Sequence, residues 1–240
     1  MAGHSKWSQI KRKKAKTDAQ RGKVFSKISR EIIMAVKLGG DEADSNPRLR
    51  LAIQKAKSEN MPNENIKKAI SKGAGEGGND NLEEVFFEAY GPFGIGMLIK
   101  SLTENRNRTV PNIRAILTRN AGNMAEKGAV SYMYNTKGLF IFSPDAMQEK
   151  IVEVAVNIDA EDINIQDDQS IEVLTKPEDF EKVRAEFERE SINYEDAMLT
   201  KIPSTMIQIS EEDSLAIFKL IDKLEEDDDV QEVFTNFEIN

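Results

Sequence analysis

The chain of 240 residues contains no cysteine, one histidine and one tryptophan. The absence of thiols excludes a disulfide framework, a thiolate zinc site and a cysteine nucleophile. Because His4 is the single histidine, the histidine pairs of many zinc sites and acid–base catalysts are excluded as well. The G-x-S-x-G, P-loop and H-E-x-x-H patterns do not occur. The sequence therefore predicts a protein that is not an enzyme and that holds no cofactor or metal.

His4 leaves one alternative open. If Met1 is removed, the chain begins Ala2-Gly3-His4, and its amine, two amide nitrogens and imidazole could bind Cu(II) or Ni(II) in the square-planar geometry that these ions favour. The other interpretation is a polar residue in an N-terminal arm.

Long apolar runs are also missing, and the longest are short, such as GIGMLI at 94–99. A membrane-spanning helix needs roughly 18 apolar residues, so none is expected. The basic N-terminal stretch is not followed by the apolar segment of a secretory signal. Together with the absence of cysteine, these features predict a cytoplasmic protein.

What the chain does have is a strong separation of charge. Residues 1–40 carry eleven Lys and Arg against two acids, a net charge of +9. Residues 131–240 carry nine Lys and Arg against twenty-eight acids, a net charge of −19. Such asymmetry is typical of a polyanion-binding arm on an acidic body.

The first candidate site is this basic N-terminal region, which is expected to attract phosphate by releasing condensed counterions. Trp7 could stack on a base or pack on the protein. The alternative interpretations are a solvated tail or a targeting address, but the basic residues continue into the helix that follows. The predicted contacts are Lys6, Trp7, Lys11, Arg12, Lys13, Lys14, Lys16, Arg21, Lys23, Lys27 and Arg30.

The second candidate site is the segment TENRNRT at 103–109. We expect a helix over 110–122, so Arg106 and Arg108 would lie just before its free N–H groups, which favour anions. Arg114 and Arg119 would lie on that helix. The alternative is a structural loop, in which Asn105 and Asn107 cap the helix and the arginines pair with acids of the chain.

Periodicity predicts an α+β protein. Apolar residues at helical spacing indicate a three-helix unit at 17–72. The glycine-rich stretch at 73–81 matches G-x-G-x-x-G, but it follows a helix and not a strand, so a linker is the better interpretation. From 138 to 202 the order is βαββαβ, which is ferredoxin-like. Its first helix should begin at Ser143-Pro144 and bury Met147.

The tail from 203 adds a strand, a helix lined by Leu215, and a final strand. The acidic run at 225–229 is expected to be a solvated loop. The tail is too small for a core of its own, so we expect it to complete the sheet of 81–130. The predicted domains are an arm with a three-helix domain (1–78), a discontinuous α+β domain (79–130 with 203–240) and an inserted acidic ferredoxin-like domain (131–202).

Several stretches together resemble one family: AGHSKWSQIKRKKAKTDAQRGKVFSKISREI, YGPFGIG, LTENRNRT and GAVSYMY. They are similar to the YebC/PmpR family, which includes bacterial proteins described as transcription regulators and the mitochondrial translational activator of cytochrome oxidase subunit one. The resemblance runs through nearly the whole chain. It implies an N-terminal helical domain, two α+β domains and no enzymatic activity. The family has a pattern close to E-G-Y-G-P-G-G where this chain has EAYGPFG, so Phe93 stands in the place of a glycine.

The resemblance implies two functions of different classes. One is a DNA-binding transcriptional regulator, whose partner is promoter DNA. The other is a translation factor associated with the ribosome and its RNA, which activates translation or relieves stalling at proline runs. A basic arm serves either function, because DNA and RNA are both polyphosphates. The sequence leaves the oligomeric state open.

Overall fold

The computed structural model describes residues 21–76 and 81–239, and contacts divide them into two units. The helix–sheet unit holds the described residues of 21–132 together with 212–236. The acidic unit holds 133–211 and 237–239. The α+β class and the helical N-terminal region are as predicted, whereas the division into three domains stays a prediction.

Three helices open the helix–sheet unit: α1 (Arg21–Gly39), α2 (Pro47–Ser58) and α3 (Asn63–Gly73). The Asn46 side chain accepts from the Leu49 N–H and Pro47 follows as the first helical residue, so α2 begins as the sequence predicts. Gly73 lets α3 approach α1, since a Cβ there would lie 2.9 Å from the Ile33 carbonyl oxygen. Thr17 and Gln20 have the spacing of a capping box, which predicts a helix start at Thr17, and both lie outside the described residues.

The helices share one core with the sheet that follows. Leu82 and Leu102 join the buried cluster formed by Ile32, Leu49 and Ile66. Burial of a Leu or Ile side chain contributes about 1.5–3 kcal/mol relative to exposure, so this shared cluster is a substantial link.

A charged network reinforces the same junction. The Arg48 guanidinium donates to Glu31 at 2.7 Å and to Glu84 at 2.5 Å. The Lys100 ammonium lies 3.3 Å from Glu31 and 3.4 Å from Glu84. Burial favours the neutral form of Glu31, but the charges of Lys100 and Arg48 outweigh it and lower the pKa of Glu31.

The first sheet is antiparallel and has the order β3-β1-β2-β9. The tail strand Val230–Thr235 pairs with β2 in this sheet, whereas the tail strand Ile207–Ile209 pairs with Phe237–Ile239. In the same unit, Ile113 and Leu117 of α4 and Ile217 and Leu220 of α7 are fully buried. The elements are β1 (Glu83–Tyr90), β2 (Gly96–Thr103), α4 (Arg106–Arg119), β3 (Asn123–Met124), α7 (Glu211–Glu225) and β9 (Val230–Thr235).

A buried carboxylate holds the segment that leaves this sheet. Glu88 of β1 accepts from the backbone N–H groups of Gly128, Val130 and Ser131 at 2.6–2.8 Å. Its burial would raise the pKa, but the three backbone hydrogen bonds outweigh this effect, so the pKa of Glu88 is lowered. The segment 128–131 is thus tied to β1 by one side chain.

The acidic unit has the predicted βαββαβ order, and its antiparallel sheet runs β5-β6-β4-β7. Phe140 stacks on Phe180 with ring centroids 4.9 Å apart, and Phe187 packs edge-on against Phe140 and Phe142. A two-stranded parallel sheet, β8 with β10, belongs to the same unit. The elements are β4 (Tyr134–Phe142), α5 (Gln148–Asn157), β5 (Asp162–Ile165), β6 (Ile171–Thr175), α6 (Phe180–Arg189), β7 (Asp196–Pro203), β8 (Ile207–Ile209) and β10 (Phe237–Ile239).

Three local expectations are wrong. Helix α5 begins at Gln148 and not at Ser143, because residues 144–146 form a turn in which the Ala146 N–H donates to the Ser143 carbonyl. Met147 consequently precedes the helix and is exposed. Leu215 is also exposed, because α7 buries the side that carries Ile217, Leu220, Ile221 and Leu224.

Within 21–76 and 81–239, no helix is long and apolar enough to cross a membrane.

We predict that Glu88→Gln lowers the free energy of unfolding by about 1–3 kcal/mol, because an amide with one carbonyl oxygen cannot accept from all three N–H groups, of which that of Val130 is buried. Urea denaturation at pH 7 measures the loss, and Glu83→Gln, at an exposed position on the same strand, is the matched control. A folded-state pKa below the unfolded value contributes stability above about pH 4.3 that is lost as the pH falls through the folded value. The difference between wild type and Glu88→Gln should therefore shrink on acidification, and a difference independent of pH would contradict the role of the charge.

Candidate nucleic-acid interface

The helix of the TENRNRT segment begins earlier than the sequence predicts. Helix α4 starts at Arg106 and not at Val110. The Asn105 side chain accepts from the Arg108 N–H at 3.2 Å and caps the helix, as the structural alternative expected. Arg106 and Arg108 therefore lie in the first turn of α4 and not before it. Positive charge is unfavourable there by about 0.3–1 kcal/mol per residue, so a counter-charge is expected nearby.

That counter-charge is Asp229, which lies after α7 and is 2% exposed. Arg108 donates one nitrogen to both of its carboxylate oxygens, at 2.9 and 3.0 Å. The Thr109 hydroxyl donates to it at 2.7 Å, and the Thr103 hydroxyl lies 2.7 Å from that of Thr109. Arg30 of α1 completes the group at 3.5 Å. These five residues are called the Asp229 cluster below.

The Asp229 cluster keeps its carboxylate ionised. Burial alone would raise the pKa of Asp229, but the hydrogen bonds from Thr109 and Arg108 and the charges of Arg108 and Arg30 together lower it. The same hydrogen bond and charge raise the pKa of Arg108. The acidic run at 225–229 ends in a turn in which Glu226 and Asp228 are exposed as expected, but its last residue, Asp229, is buried and paired with two arginines.

Helix α1 presents three of the predicted phosphate contacts to this same run. Lys23 donates to the Glu226 carbonyl at 3.0 Å and Lys27 to the Glu225 carbonyl at 2.6 Å. Arg30 donates to the Asp228 carbonyl. Cations are favoured at the C-terminal end of a helix, so Lys23, Lys27 and Arg30 help to fix α1 against the end of α7.

The predicted arginines of α4 behave differently from Arg108. Arg106, Arg114 and Arg119 are exposed, and their side chains have no hydrogen bond or ion pair with any residue of the described ranges. Arg114 and Arg119 flank the outward side of the helix, whose inward side buries Thr109, Ile113 and Leu117. Arg106, Arg114 and Arg119 are called the α4 arginines below.

The other predicted contacts cannot be placed. Lys6, Trp7, Lys11, Arg12, Lys13, Lys14 and Lys16 lie outside the described residues, as does His4, and the Arg21 side chain is not described. Among the described residues, no group of three or more His, Asp or Glu side chains is arranged to hold a metal ion. The binding role of all fifteen residues stays a prediction.

Two features of this region were missed in the sequence. The roles of Asp229 and Glu88 depend on partners that are distant in sequence, so no local pattern announced them. Lys67 and Lys68 of α3 are exposed and also lack a partner within the described ranges. Helical phase was the available signal for them, because Ile66, Ala69 and Ile70 define the inward side of α3.

Comparison with known proteins identifies the relatives of this chain. The model of the TACO1/YebC N-terminal domain matches residues 5–76, and that of the TACO1/YebC second and third domain matches residues 82–237. The chain belongs to the TACO1/YebC family.

Full-length relatives support this assignment. A Geobacter sulfurreducens protein is 46% identical over 240 residues, covering 100% of this chain and 97% of the relative. A Coxiella burnetii protein (strain Dugway 5J108-111) is 45% identical over 236 residues, covering 98% and 97%. Both are named probable transcriptional regulatory proteins. The crystal structure of a conserved hypothetical protein from Aquifex aeolicus has a TM-score of 0.89 at 44% identity and covers 98% of each chain.

The Asp229 cluster predicts that two arginines of one motif behave differently. Arg108→Ala should lower the free energy of unfolding by about 1.5–3 kcal/mol, because a charge-assisted hydrogen bond is lost and Asp229 stays buried. Arg106→Ala should change it by less than about 0.5 kcal/mol. Urea denaturation at pH 7 measures both. Equal effects of the two substitutions would show that the cluster does not hold α4 in place.

Proposed function

We propose that this protein is a nucleic-acid-binding regulator that acts in the cytoplasm without catalysis, and that its target is promoter DNA. The observation that carries the proposal is the set of α4 arginines, which are exposed and unpaired within the described ranges. Three other arginines of the helix–sheet unit are paired with carboxylates, namely Arg30, Arg48 and Arg108, the last of which also lies on α4. The α4 arginines are therefore cations that the described part of the fold leaves available to an external anion.

The α4 surface has the chemistry of a DNA-reading element. A helix of 14 residues is about 21 Å long, and a helix of this diameter fits the major groove. Asn107, Asn112 and Arg114 are exposed on it, and Asn and Arg are the side-chain types that make bidentate contacts with adenine and guanine. The basic N-terminal region would add sequence-independent contacts to phosphate. The names of the bacterial relatives support a role in transcription.

The acidic unit would take no part in these contacts. Residues 133–211 carry eighteen acids and seven Lys and Arg, a net charge of −11. Such a surface repels phosphate within about 8 Å at physiological salt. We propose that it faces solvent or a protein partner in the complex.

A second candidate function is that of a translation factor bound to ribosomal RNA. The observation that favours it is the same acidic surface, since a net-acidic body is poorly suited to wrapping DNA but is tolerated on a ribosome if it faces other factors. The family name, which includes TACO1, agrees with this candidate. Cross-linking in cells, followed by sequencing of the bound DNA and RNA, distinguishes the two functions.

The α4 arginines give the first test. Arg106→Ala/Arg119→Ala should flatten the dependence of log K on log salt by about 1.8 for duplex DNA, because two phosphate contacts are lost. The matched control is Lys176→Ala/Lys182→Ala, which removes two exposed and unpaired cations of the acidic unit within the described ranges. Both variants change the net charge equally, so equal effects on binding would show that total charge, and not α4, determines affinity.

The N-terminal region gives a second test. Changing Lys11, Arg12, Lys13 and Lys14 together to Ala should weaken binding to every polyanion by about 2–4 kcal/mol and flatten the salt slope by up to about 4. Titration of random duplex, promoter fragment and large ribosomal subunits at several salt concentrations measures the effect. A loss confined to one of these targets would contradict a sequence-independent anchor.

A further inference from the structure

We propose that Phe93, at the tip of the β1–β2 hairpin, is a stacking platform for an unpaired nucleobase. This inference rests on the proposed nucleic-acid-binding function and adds the kind of nucleic acid and a residue that contacts it. It implies that the bound target includes a single-stranded or unpaired segment, either in opened DNA or in RNA.

The backbone of Phe93 is held in a conformation that its side chain disfavours. Its φ of 62° and ψ of 17° lie in the left-handed region, which glycine adopts at little cost and a bulky residue at about 1–2 kcal/mol. An aromatic side chain is rarely found there. Strain of this kind persists only where the surroundings enforce it, and it concentrates at functional positions.

The surroundings of the tip do enforce it. The Gly91 N–H donates to the Ile95 carbonyl at 2.9 Å, and Pro92 and Ile95 are buried. The Gly96 N–H donates to the buried Asn236 side chain at 2.7 Å. The turn is thus anchored on both sides while the Phe93 side chain remains 53% exposed. An aromatic ring on an anchored turn loses little conformational freedom when it stacks on a ligand.

The neighbouring charge favours nucleic acid over an apolar protein partner. Strand β3 pairs with Ala89 and Tyr90, the last residues before the tip. Gly122 lies so close that a Cβ there would be 2.9 Å from the Tyr90 carbonyl oxygen. The C-terminal end of α4, where Arg119 has no partner within 21–76 and 81–239, therefore lies at the same end of the sheet as Phe93. An exposed ring and an exposed arginine at the same end of one sheet match the combination of base stacking with phosphate contact in proteins that bind single strands.

Phe93 is a single exposed ring, and such a ring is better suited to stacking on an unpaired base than to entering between two base pairs of a duplex. In a duplex each base is already stacked on both sides, so an inserted side chain costs the free energy needed to unstack two base pairs. A base in a single strand offers a free face, and stacking on an aromatic side chain tolerates every base. Phe93 is therefore expected to distinguish single-stranded from double-stranded nucleic acid, and not one base sequence from another.

The test compares the full chain and its Phe93→Leu variant on oligonucleotides of about 12 nucleotides, which is within the range that one single-strand-binding module covers. Single-stranded DNA, single-stranded RNA and a DNA duplex of one sequence are titrated, with 2-aminopurine in the single strands. Phe93→Leu should weaken binding to the single strands by about tenfold, because an apolar side chain without a ring cannot stack. The salt slope should not change, since no phosphate contact is lost. Phe93→Trp should retain both affinity and the 2-aminopurine signal.

Two controls separate stacking from folding. Phe86→Leu changes a comparably exposed aromatic residue, 41% exposed on β1, and should leave single-strand binding unchanged. Phe93→Gly should raise the melting temperature, because glycine accepts the left-handed backbone, and yet weaken single-strand binding as Phe93→Leu does. Loss of affinity in a more stable protein cannot be attributed to misfolding.

The outcomes are distinguishable. If wild type binds none of the three probes, the proposed function fails together with this inference. If wild type binds with a steep salt slope and Phe93→Leu binds as wild type does, the stacking inference alone is overturned. Equal losses on duplex and single strands also overturn it. A selective loss supports it, and the strand with the larger loss, DNA or RNA, identifies the source of the base.

Discussion

The helix–sheet unit depends on one buried carboxylate, that of Asp229. It receives Arg108 and Thr109 from the first turn of α4 and Arg30 from α1. The Leu102 N–H donates to its carbonyl at 2.8 Å, so the same residue also ties the end of β2. A buried charge is costly unless it is paired and hydrogen-bonded, and this requirement forces several elements into one arrangement. The acidic run is therefore a structural clamp for basic elements that are distant in sequence.

This clamp decides which basic residues remain available. A sequence rich in Lys and Arg suggests that all of them face a polyanion, but the fold assigns them different tasks. Arg108 and Arg30 neutralise Asp229, and Lys23 and Lys27 cap the end of α7. The α4 arginines have no such partner in the described part of the chain. The clamp also holds the first turn of α4, whose C-terminal end lies at the same end of the sheet as Phe93.

Features encoded locally could be predicted from the sequence. The start of α2 follows from Asn46 and Pro47, and the βαββαβ order follows from alternating periods in 138–202. The start of α4 was placed four residues too late, because Arg106 to Thr109 carry no apolar period and their capping depends on Asn105. The role of Asp229 could not be found at all, since Thr109 and Arg108 are 120 and 121 residues away. The sequence alone predicts that an acidic run is solvated, because the arginines that pair with Asp229 are brought to it only by the fold.

For Phe93, the sequence and the structure each supply one part of the argument. The family resemblance implies a glycine at the position of Phe93, and this alone leaves the geometry of the turn in doubt. The structure shows that Phe93 has the left-handed backbone conformation that glycine adopts readily. A residue that costs stability and leaves about half of its surface exposed is difficult to explain by packing alone. Its exposed face accounts for the cost if the ring contacts a ligand.

The separation of charge along the chain should determine which part of the protein a nucleic acid meets first. A net charge of −9 repels a polyanion at long range, whereas the first forty residues, at +9, attract it. Because complementary charge steers the encounter and like charge suppresses wrong orientations, a phosphate backbone should arrive at the basic end first. Under the proposed function, phosphate contacts would then fix the register, and α4 and Phe93 would be the elements left to contact bases. Steering by the arm and reading by the helix–sheet unit would therefore be consecutive steps carried out by different parts of one chain.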